Sequence, residues 1–398
     1  MEPTDGGVAA RLAEARKLAG LTQLQLAQRA NLSVSLVRKV ERGSVPASPT
    51  FIASTARALG LMVTDLTEER DFRSVHSRFG IEQRFVPDLE RAIIEHDDVP
   101  TGELLLELPE IEQRIITITE AGRVSNYTKA LELLPRVIRS LHGQASQAPA
   151  GKIEAINRLL AQVYYSAMFA SYKFGHLSLS AWAAERMATS AHQSGDPLWD
   201  AMGKYGRSQA LMFSGSYRAS QALLDRMLVA VEDSKDPRSK EVLGAAHLSN
   251  AITSARLGDA EGSDSHLREA RNLARHLTTG ADSFDTAFSG PNVEIHAVAA
   301  AVELADPAKA LQRGAGLNLD SKLYRSRRGH YHIDLARAYF MQGNHEQALQ
   351  ELNQARRLAP QQTRYHPQVR ETIRALARAR RRTDSLARFA GWAGIGLR

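Results

Sequence analysis

Residues that can turn a helix back on itself divide this chain at regular intervals. Five such positions are separated by 40, 43, 47 and 38 residues, namely Gly175, Gly215, Gly258, Ala305 and Gly343. The segments on either side of each position carry small and apolar residues at helical spacing, so each position marks a pair of antiparallel helices. One pair cannot bury its apolar face alone, whereas a stack of pairs can. The pattern therefore predicts an all-α solenoid.

The clearest helix pair is LARAYFMQGNHEQALQELNQARRLAP, from Leu335 to Pro360. A glycine turns the chain after its first helix and a proline ends the second. This unit resembles a tetratricopeptide repeat (TPR), and the other turn positions resemble degenerate copies of it. We expect a TPR-like domain for sensing and dimerisation over residues 81–398. Its first part should form helices over 81–96, 103–120 and 126–141, then a loop over 142–151, and its last part a helix pair over 367–390.

A different arrangement occupies the start of the chain, in the stretch LTQLQLAQRANLSVSLVRKVERG. Thr22 and Gln25 have the spacing of a capping box, and Asn31 tolerates the left-handed conformation that ends a helix. Ser33 can then cap another helix two residues later. Two helices joined so tightly must cross steeply, so the second one projects outward. With the apolar stripes on either side, five short helices are predicted in about 60 residues.

This stretch resembles the helix-turn-helix of lambda-repressor-like (XRE-family) regulators, with a match over residues 8–66. The resemblance implies a DNA-binding head over residues 1–66, followed by a linker over 67–80. It also implies that Arg16 and Glu41 form a buried pair and that Gln23 donates to a DNA phosphate. The residues implied to face DNA are Gln23, Ser33, Val34, Ser35, Arg38, Lys39 and Arg42. The alternative for Arg38 and Lys39 is that they are solvated helix charges.

The net charge of +7 is concentrated at the two ends of the chain. Residues 8–60 hold eight basic and two acidic residues, and residues 364–398 hold nine arginines and two acidic residues. Such a distribution favours polyanions at the ends rather than along the middle. Arg370, Arg374 and Arg378 recur every four residues. They are interpreted either as a second contact with the DNA backbone or as the solvated face of a capping helix.

Several classes of protein find no support in the sequence. There is no cysteine, so disulfides and thiolate metal sites are excluded. The start of the chain lacks the apolar core of a signal peptide, and no apolar run is long enough to span a bilayer. The common catalytic and nucleotide-binding motifs are also missing. We therefore expect a cytoplasmic protein that is not an enzyme, uses no cofactor or metal, and does not contact membranes.

Aromatic and amide side chains concentrate on the face that lines the inner groove in TPR solenoids. Such a groove suits an extended peptide or an apolar small molecule. The alternative is that the aromatic residues simply pack between repeats. The predicted ligand-binding residues are Gln162, Tyr165, Phe169, Tyr172, Tyr205, Gln209, Arg256 and Asn292, and Lys173 and Phe213 would lie on the same face.

A repressor-like head on a TPR body resembles the peptide-pheromone receptors of Gram-positive quorum sensing and a group of regulators from GC-rich bacteria. The resemblance implies a transcription regulator that binds a palindromic operator as a homodimer and responds to a small-molecule or peptide ligand. Two alternatives stay open. The chain could be an interaction scaffold with an accessory DNA-binding head, or a constitutive DNA-binding protein without a ligand.

Overall fold

The structure is a computed structural model that describes residues 7–67, 84–98, 105–277, 282–317, 319, 323–379 and 383–396. Throughout these ranges the regular structure is helical, in 21 helices without a strand, which confirms the all-α prediction. Residues 68–80 of the predicted linker lie outside the described residues, and Thr67 ends the last helix of the head.

The head consists of five short helices, as predicted. Thr22 and Gln25 form the capping box that begins the second helix, and Asn31 ends this helix with a φ of 53°. Ser33 and Ser48 cap the two helices that follow. The five helices are α1 (Val8–Leu18), α2 (Gln23–Ala30), α3 (Val34–Glu41), α4 (Pro49–Leu59) and α5 (Val63–Thr67).

The body is a series of helix pairs. Its first half comprises α6 (Val86–Glu95), α7 (Leu108–Arg123), α8 (Tyr127–Gln147), α9 (Ala150–Lys173), α10 (Leu177–Gln193), α11 (Pro197–Phe213), α12 (Tyr217–Val231) and α13 (Ser239–Leu257). The second half comprises α14 (Ala260–Arg275), α15 (Gly290–Glu303), α16 (Pro307–Gly314), α17 (Arg325–Met341), α18 (His345–Leu358), α19 (Pro360–Tyr365), α20 (Pro367–Ala379) and α21 (Asp384–Ala393).

The same left-handed turn joins the helices of six successive pairs, α7–α8 through α17–α18. All five predicted turn residues adopt positive φ, and Ser125 occupies the equivalent place in the first pair. After each turn, a backbone N–H bonds back to a carbonyl five residues earlier, for example Asn344 to Tyr339. This bond satisfies a carbonyl that the end of the helix would leave unpaired. Ala305 makes the turn with a φ of 58°, which an L-residue adopts only at a cost.

The predicted loop over 142–151 is wrong. Helix α8 continues to Gln147, and only Ala148 and Pro149 separate it from α9. Two tertiary contacts explain the continuation. The His142 side chain is buried and lies 2.9 Å from the Tyr164 hydroxyl, and Gly143 lets the Leu105 side chain pack against the helix backbone. These contacts outweigh the weak helix propensity of a glycine in this polar stretch.

The body curves so that its last repeats meet its first. The Tyr127 hydroxyl on α8 donates to Gln362 Oε1 on α19 at 2.9 Å. The rings of Phe174, after α9, and Tyr365, on α19, have centroids 4.8 Å apart. Residues about 200 positions apart in sequence therefore enclose one inner space.

The head is attached to the body at two places. At the C-terminal end, Arg378 Nε donates to the Gly43 carbonyl at 2.7 Å and Gln368 Nε2 to the Ala47 carbonyl at 3.3 Å. In the middle of the body, Thr50 Oγ1 donates to the Arg256 carbonyl at 3.1 Å. We call these contacts the C-terminal clamp and the central clamp.

Candidate DNA-binding face and ligand cavity

Helix α3 separates an apolar face from an exposed polar face. Val37 and Val40 are buried in the core of the head, whereas Ser35, Arg38 and Lys39 are exposed. The spacing of the residues produces this division, because positions three or four apart share one side of a helix. The exposed side chains are a hydroxyl, a guanidinium and an ammonium group, which are donors suited to base edges and phosphates.

The predicted pair of Arg16 and Glu41 is confirmed and fixes the end of α3. Arg16 Nε donates to Glu41 Oε1 at 2.6 Å and its second nitrogen to Oε2 at 3.0 Å, with side chains 12% and 5% exposed. A third N–H of Arg16 donates to the Leu21 carbonyl. The hydrogen bond to Glu41 is the main reason that the pKa of Arg16 is raised, against the opposing effect of burial.

Gln23 belongs to the same network. Its Nε2 donates to Glu41 Oε2 at 2.6 Å, so one hydrogen of the amide is already used within the head. The second amide hydrogen is what remains for the predicted bond to a DNA phosphate. Gln23 is also the first residue of α2, where helix N–H groups and the helix dipole favour an anion.

The arginine series on α20 fits the interpretation as a solvated face only in part. Arg374 is buried and donates to Glu371 at 3.1 Å, and Glu371 in turn accepts from the Val8 backbone N–H at 3.3 Å. Arg378 belongs to the C-terminal clamp. Arg374 is therefore buried beside the head, whereas Arg378 contacts the head and stays exposed to solvent. Both contacts arise because the body curves far enough for its last helices to meet α1 and the loop after α3.

The central clamp also has an apolar part. Ala53 of α4 packs with Met212 and Tyr217 of the body in one buried cluster. Gly215 allows this approach, since a Cβ there would lie 2.4 Å from the Ala53 methyl. Arg57 donates to the Gly215 carbonyl at 3.2 Å.

A cavity of about 100 Å³ opens between the first and the last repeats. Its walls come from α7, α8, α9, α17 and α19 and from the segment before α15. The apolar part of the lining includes Ile118, Ala130, Tyr165, Phe169 and Ala170. The polar part includes Arg123, Lys173, Asp285, Tyr324, Arg327, His330 and Gln362.

The charges of the cavity do not balance. Arg123 Nε donates to Asp285 Oδ1 at 2.7 Å, which neutralises both groups. Lys173 and Arg327 form no ion pair with any residue that the structure describes. Burial, and next the positive charge of Arg327, lowers the pKa of Lys173 to about 7, and burial raises the pKa of Asp285 to about 6. Burial also holds the pKa of His330 well below its usual value, so this imidazole is neutral.

The predicted ligand-binding residues are not all at the cavity. Tyr165 and Phe169 line it, as does Lys173. Tyr172 stacks on Phe213 with ring centroids 3.5 Å apart, and Tyr205 is buried. The other predicted residues also lie outside the lining, namely Gln162, Gln209, Arg256 and Asn292. Gln209 donates a hydrogen bond to Ser249, and Asn292 is fully buried.

Arg256 belongs to a buried network of charges that includes the end of α15. Its Nε lies 3.5 Å from Glu303 Oε2, and Arg337 lies 3.0 Å from Glu303 Oε1. Arg337 also pairs with Asp334 at 3.1 Å. Because every charge in this network has a partner, the network differs from the cation pair in the cavity.

Aromatic rings connect the cavity to the central clamp. Phe169, in the cavity wall, lies 6.2 Å from Phe213, centroid to centroid. Phe213 stacks on Tyr172 and packs against the cluster that holds Ala53 of the head. The guanidinium of Arg256, whose carbonyl accepts from Thr50, lies 5.6 Å from the Tyr217 ring in the same cluster.

Sequence reasoning missed the cavity residues that come from distant segments. Arg123, Asp285 and Arg327 were assigned no role, since repeat spacing predicts neighbours along the stack but not where the curved stack meets itself. An available indication was the set of three arginines at the start of α17, Arg325, Arg327 and Arg328.

Comparisons with known proteins agree with the two parts of the structure. A family model described as a helix-turn-helix domain matches residues 8–69, and one described as a tetratricopeptide repeat matches residues 328–370. The chain therefore carries a helix-turn-helix domain at residues 8–69 and a tetratricopeptide repeat at residues 328–370 of its helical body. A search of curated proteins finds no significant match.

Three solved structures resemble this chain only loosely. PlcR of Bacillus thuringiensis, in complex with the peptide PapR7 and DNA, is 14% identical, with 67% of this chain and 94% of PlcR covered and a TM-score of 0.30. The competence regulator ComR of Streptococcus vestibularis is 15% identical, with 79% and 99% covered and a TM-score of 0.23. The TPR domain of P58(IPK) is 15% identical, with 94% and 99% covered and a TM-score of 0.21. No conclusion follows from scores this low.

Two further observations concern the described ranges alone. None of their helices is long and apolar enough to cross a membrane. Nor do these ranges bring together three or more histidine or carboxylate side chains in a group that could hold a metal ion.

Proposed function

We propose that this chain is a sequence-specific DNA-binding transcription regulator whose TPR body binds a ligand and thereby controls DNA binding. The observation that carries the proposal is the accessibility of α3. Its polar face, with Ser35, Arg38 and Lys39, is exposed while other segments of the head hold the body. A head attached in this way can enter a major groove without first leaving the body.

The residues proposed to contact DNA divide into two groups. Ser33, Val34, Ser35, Arg38 and Lys39 would face the bases, because they lie on the first turns and the exposed face of α3. Arginine and lysine can bind the O6 and N7 atoms of guanine, and a valine can contact a thymine methyl group. Gln23 and Arg42 would contact the backbone and set the register of the head.

The proposed ligand site includes the cavity, and the aromatic contacts supply a route from it to the head. A ligand that displaces Phe169 would also move Phe213, and Phe213 packs against the cluster that contains Ala53. Ligand binding can change DNA affinity only if the ligand prefers one placement of the head over another. Two discrete packings of Phe213 would provide these two placements.

We further propose that the protein acts as a homodimer on a palindromic operator. One head of five short helices covers only a half-site, and useful specificity normally requires two half-sites about one helical turn apart. The tight attachment of each head to its body means that the body would set the separation of the two heads.

The decisive experiment is genome-wide mapping of the DNA sites that the protein binds in its native cell. We expect a defined palindromic site, and a fragment carrying this site should bind the full chain with measurable affinity. Scattered or absent enrichment would contradict the proposal. A defined site whose affinity is the same with and without native cell extract would leave DNA binding in place but contradict control by a ligand.

Mutation of the exposed face of α3 tests the residue assignment. Replacing both Arg38 and Lys39 by alanine should weaken binding to the mapped site. Each side chain that makes two hydrogen bonds to one base should account for about 1–3 kcal/mol of the lost binding free energy. Arg29→Ala is the matched control, since Arg29 is also exposed on the head but lies on α2. Equal affinities of the double variant and wild type at fixed salt would contradict the assignment of α3.

A further inference from the structure

The cavity between the first and last repeats contains two cationic side chains, and neither forms an ion pair with a residue that the structure describes. Lys173 comes from the end of α9 and Arg327 from the start of α17, and both line the cavity. The nearby carboxylate of Asp285 is bound by Arg123. Charges about 150 residues apart in sequence therefore converge here as a consequence of the curvature of the body.

Such an arrangement is unfavourable unless something binds to it. Removing a cation from water without a partner is costly, and two cations near each other add mutual repulsion. The effect on Lys173 is visible in its pKa, which burial and the charge of Arg327 lower to about 7. An anion held between these side chains would remove both penalties through charge-assisted hydrogen bonds.

The remaining walls favour an apolar group beside the anion. Tyr165 and Phe169 pack edge to face with centroids 4.9 Å apart, and Ile118 and Ala130 complete this side of the cavity. The volume of about 100 Å³ is smaller than the roughly 150 Å³ of an engineered apolar cavity that accepts benzene. This volume limits the enclosed apolar group to a short aliphatic chain or at most one ring, with the rest of the molecule toward the opening of the cavity.

We propose that this cavity binds a small organic acid, with its carboxylate held by Lys173 and Arg327 and its apolar part against Tyr165 and Phe169. This inference deepens the proposed function, on which it rests, by naming the chemical class of the ligand. A free acid fits better than an extended peptide, because the cavity has room for about one side chain. It also fits better than an inorganic anion, since one side of the cavity is apolar.

The proposal is tested by direct binding of simple probes to the full chain. Isothermal titration and thermal shift in phosphate-free buffer would compare benzoate, phenylacetate, 3-phenylpropionate and hexanoate with the uncharged 3-phenylpropanol. At least one acid should bind and raise the melting temperature. The alcohol should bind at least tenfold more weakly than its matching acid, because a charge-assisted contact is worth about a factor of ten or more.

Variants then locate the bound acid. Lys173→Met and Arg327→Met should each weaken binding of the acid at least tenfold and leave the weak binding of the alcohol unchanged. Lys235→Met is the matched control, since Lys235 is exposed in the loop between α12 and α13. Because Met removes an unpaired cation, both cavity variants should melt no lower than wild type, so loss of binding cannot be ascribed to unfolding.

Other outcomes would overturn the inference. No binding of any acid at 10 mM, equal binding of acid and alcohol, or equal binding of inorganic phosphate would each contradict it. Binding of short peptides in place of the acids would do the same. Failure of the acids to bind would contradict this inference but would not affect the evidence for DNA binding from the mapped sites. Conversely, an acid that binds at Lys173 without changing the affinity for the mapped site would support the ligand class and contradict ligand control.

Discussion

Removing one member of the Arg16–Glu41 pair should destabilise the head more strongly than the body. In Arg16→Met, the Glu41 carboxylate, only 5% exposed, loses both bonds to the guanidinium and keeps the single bond from Gln23. A buried charge left in this way costs roughly 3–5 kcal/mol. This is comparable to the whole stability of a domain of about 60 residues.

A double-mutant cycle isolates the contribution of the pair. Glu41→Leu should be similarly destabilising, because it strands the Arg16 guanidinium, whereas the combined Arg16→Met and Glu41→Leu variant removes both charges and should recover most of the stability. The coupling between the two changes should amount to about 2–3 kcal/mol. Arg29→Met is the control, as an exposed arginine of the same head.

The assay must report on the head alone. All three tryptophans lie outside it, at positions 182, 199 and 392, so fluorescence would follow the body. Hydrogen exchange measured by mass spectrometry on peptides from residues 8–66 gives the opening free energy of the head directly. Single variants with the same protection as wild type would refute the reasoning, since they would show that the pair contributes nothing to the fold of the head.

Three further predictions follow from other contacts. Arg378→Met removes one hydrogen bond of the C-terminal clamp. It should speed hydrogen exchange around Gly43 and Ala47 without lowering the melting temperature of the body. Unchanged exchange around these residues would show that this bond does not hold the head. Phe213→Leu should leave DNA affinity without ligand near normal but reduce the change in affinity caused by cell extract, and an undiminished response in gel-shift titrations would contradict the aromatic route. Burial lowers the pKa of His142 to about 4, below its unfolded value of 6.5. The neutral imidazole therefore stabilises the fold fully above pH 6.5, and this contribution is lost as the pH falls toward 4. The loss should reach about 2 kcal/mol at pH 5, so the melting temperature should fall less steeply with acid for His142→Gln than for wild type.

Local rules of sequence predicted the head and the turns of the body well. Capping at Thr22, Ser33 and Ser48 depends on residues within three positions, so the sequence carries this information directly. The turn at Ala305 was found although alanine disfavours positive φ, because the repeat spacing required a turn there. Periodicity therefore supplied what residue preference alone would have missed.

The errors arose where distant segments meet. The continuation of α8 beyond His142 depends on Tyr164 and Leu105, and the burial of Arg374 depends on α1. The ligand prediction found one wall of the cavity, with Tyr165 and Phe169, but not the wall that contains Arg327. Curvature accumulates over all repeats, so small differences in each pair decide which ends meet.

The bond between Val8 and Glu371 brings the two ends of the described chain together. Repeat arrays ordinarily lose structure from their free ends, because a terminal repeat has a neighbour on one side only. Here the first helix of the head and the penultimate helix of the body protect each other, and so neither end can fray without releasing the other. Unfolding of the array should accordingly be more cooperative than its repeats would suggest, and a proteolytic cut in the segment between head and body should leave the two fragments associated.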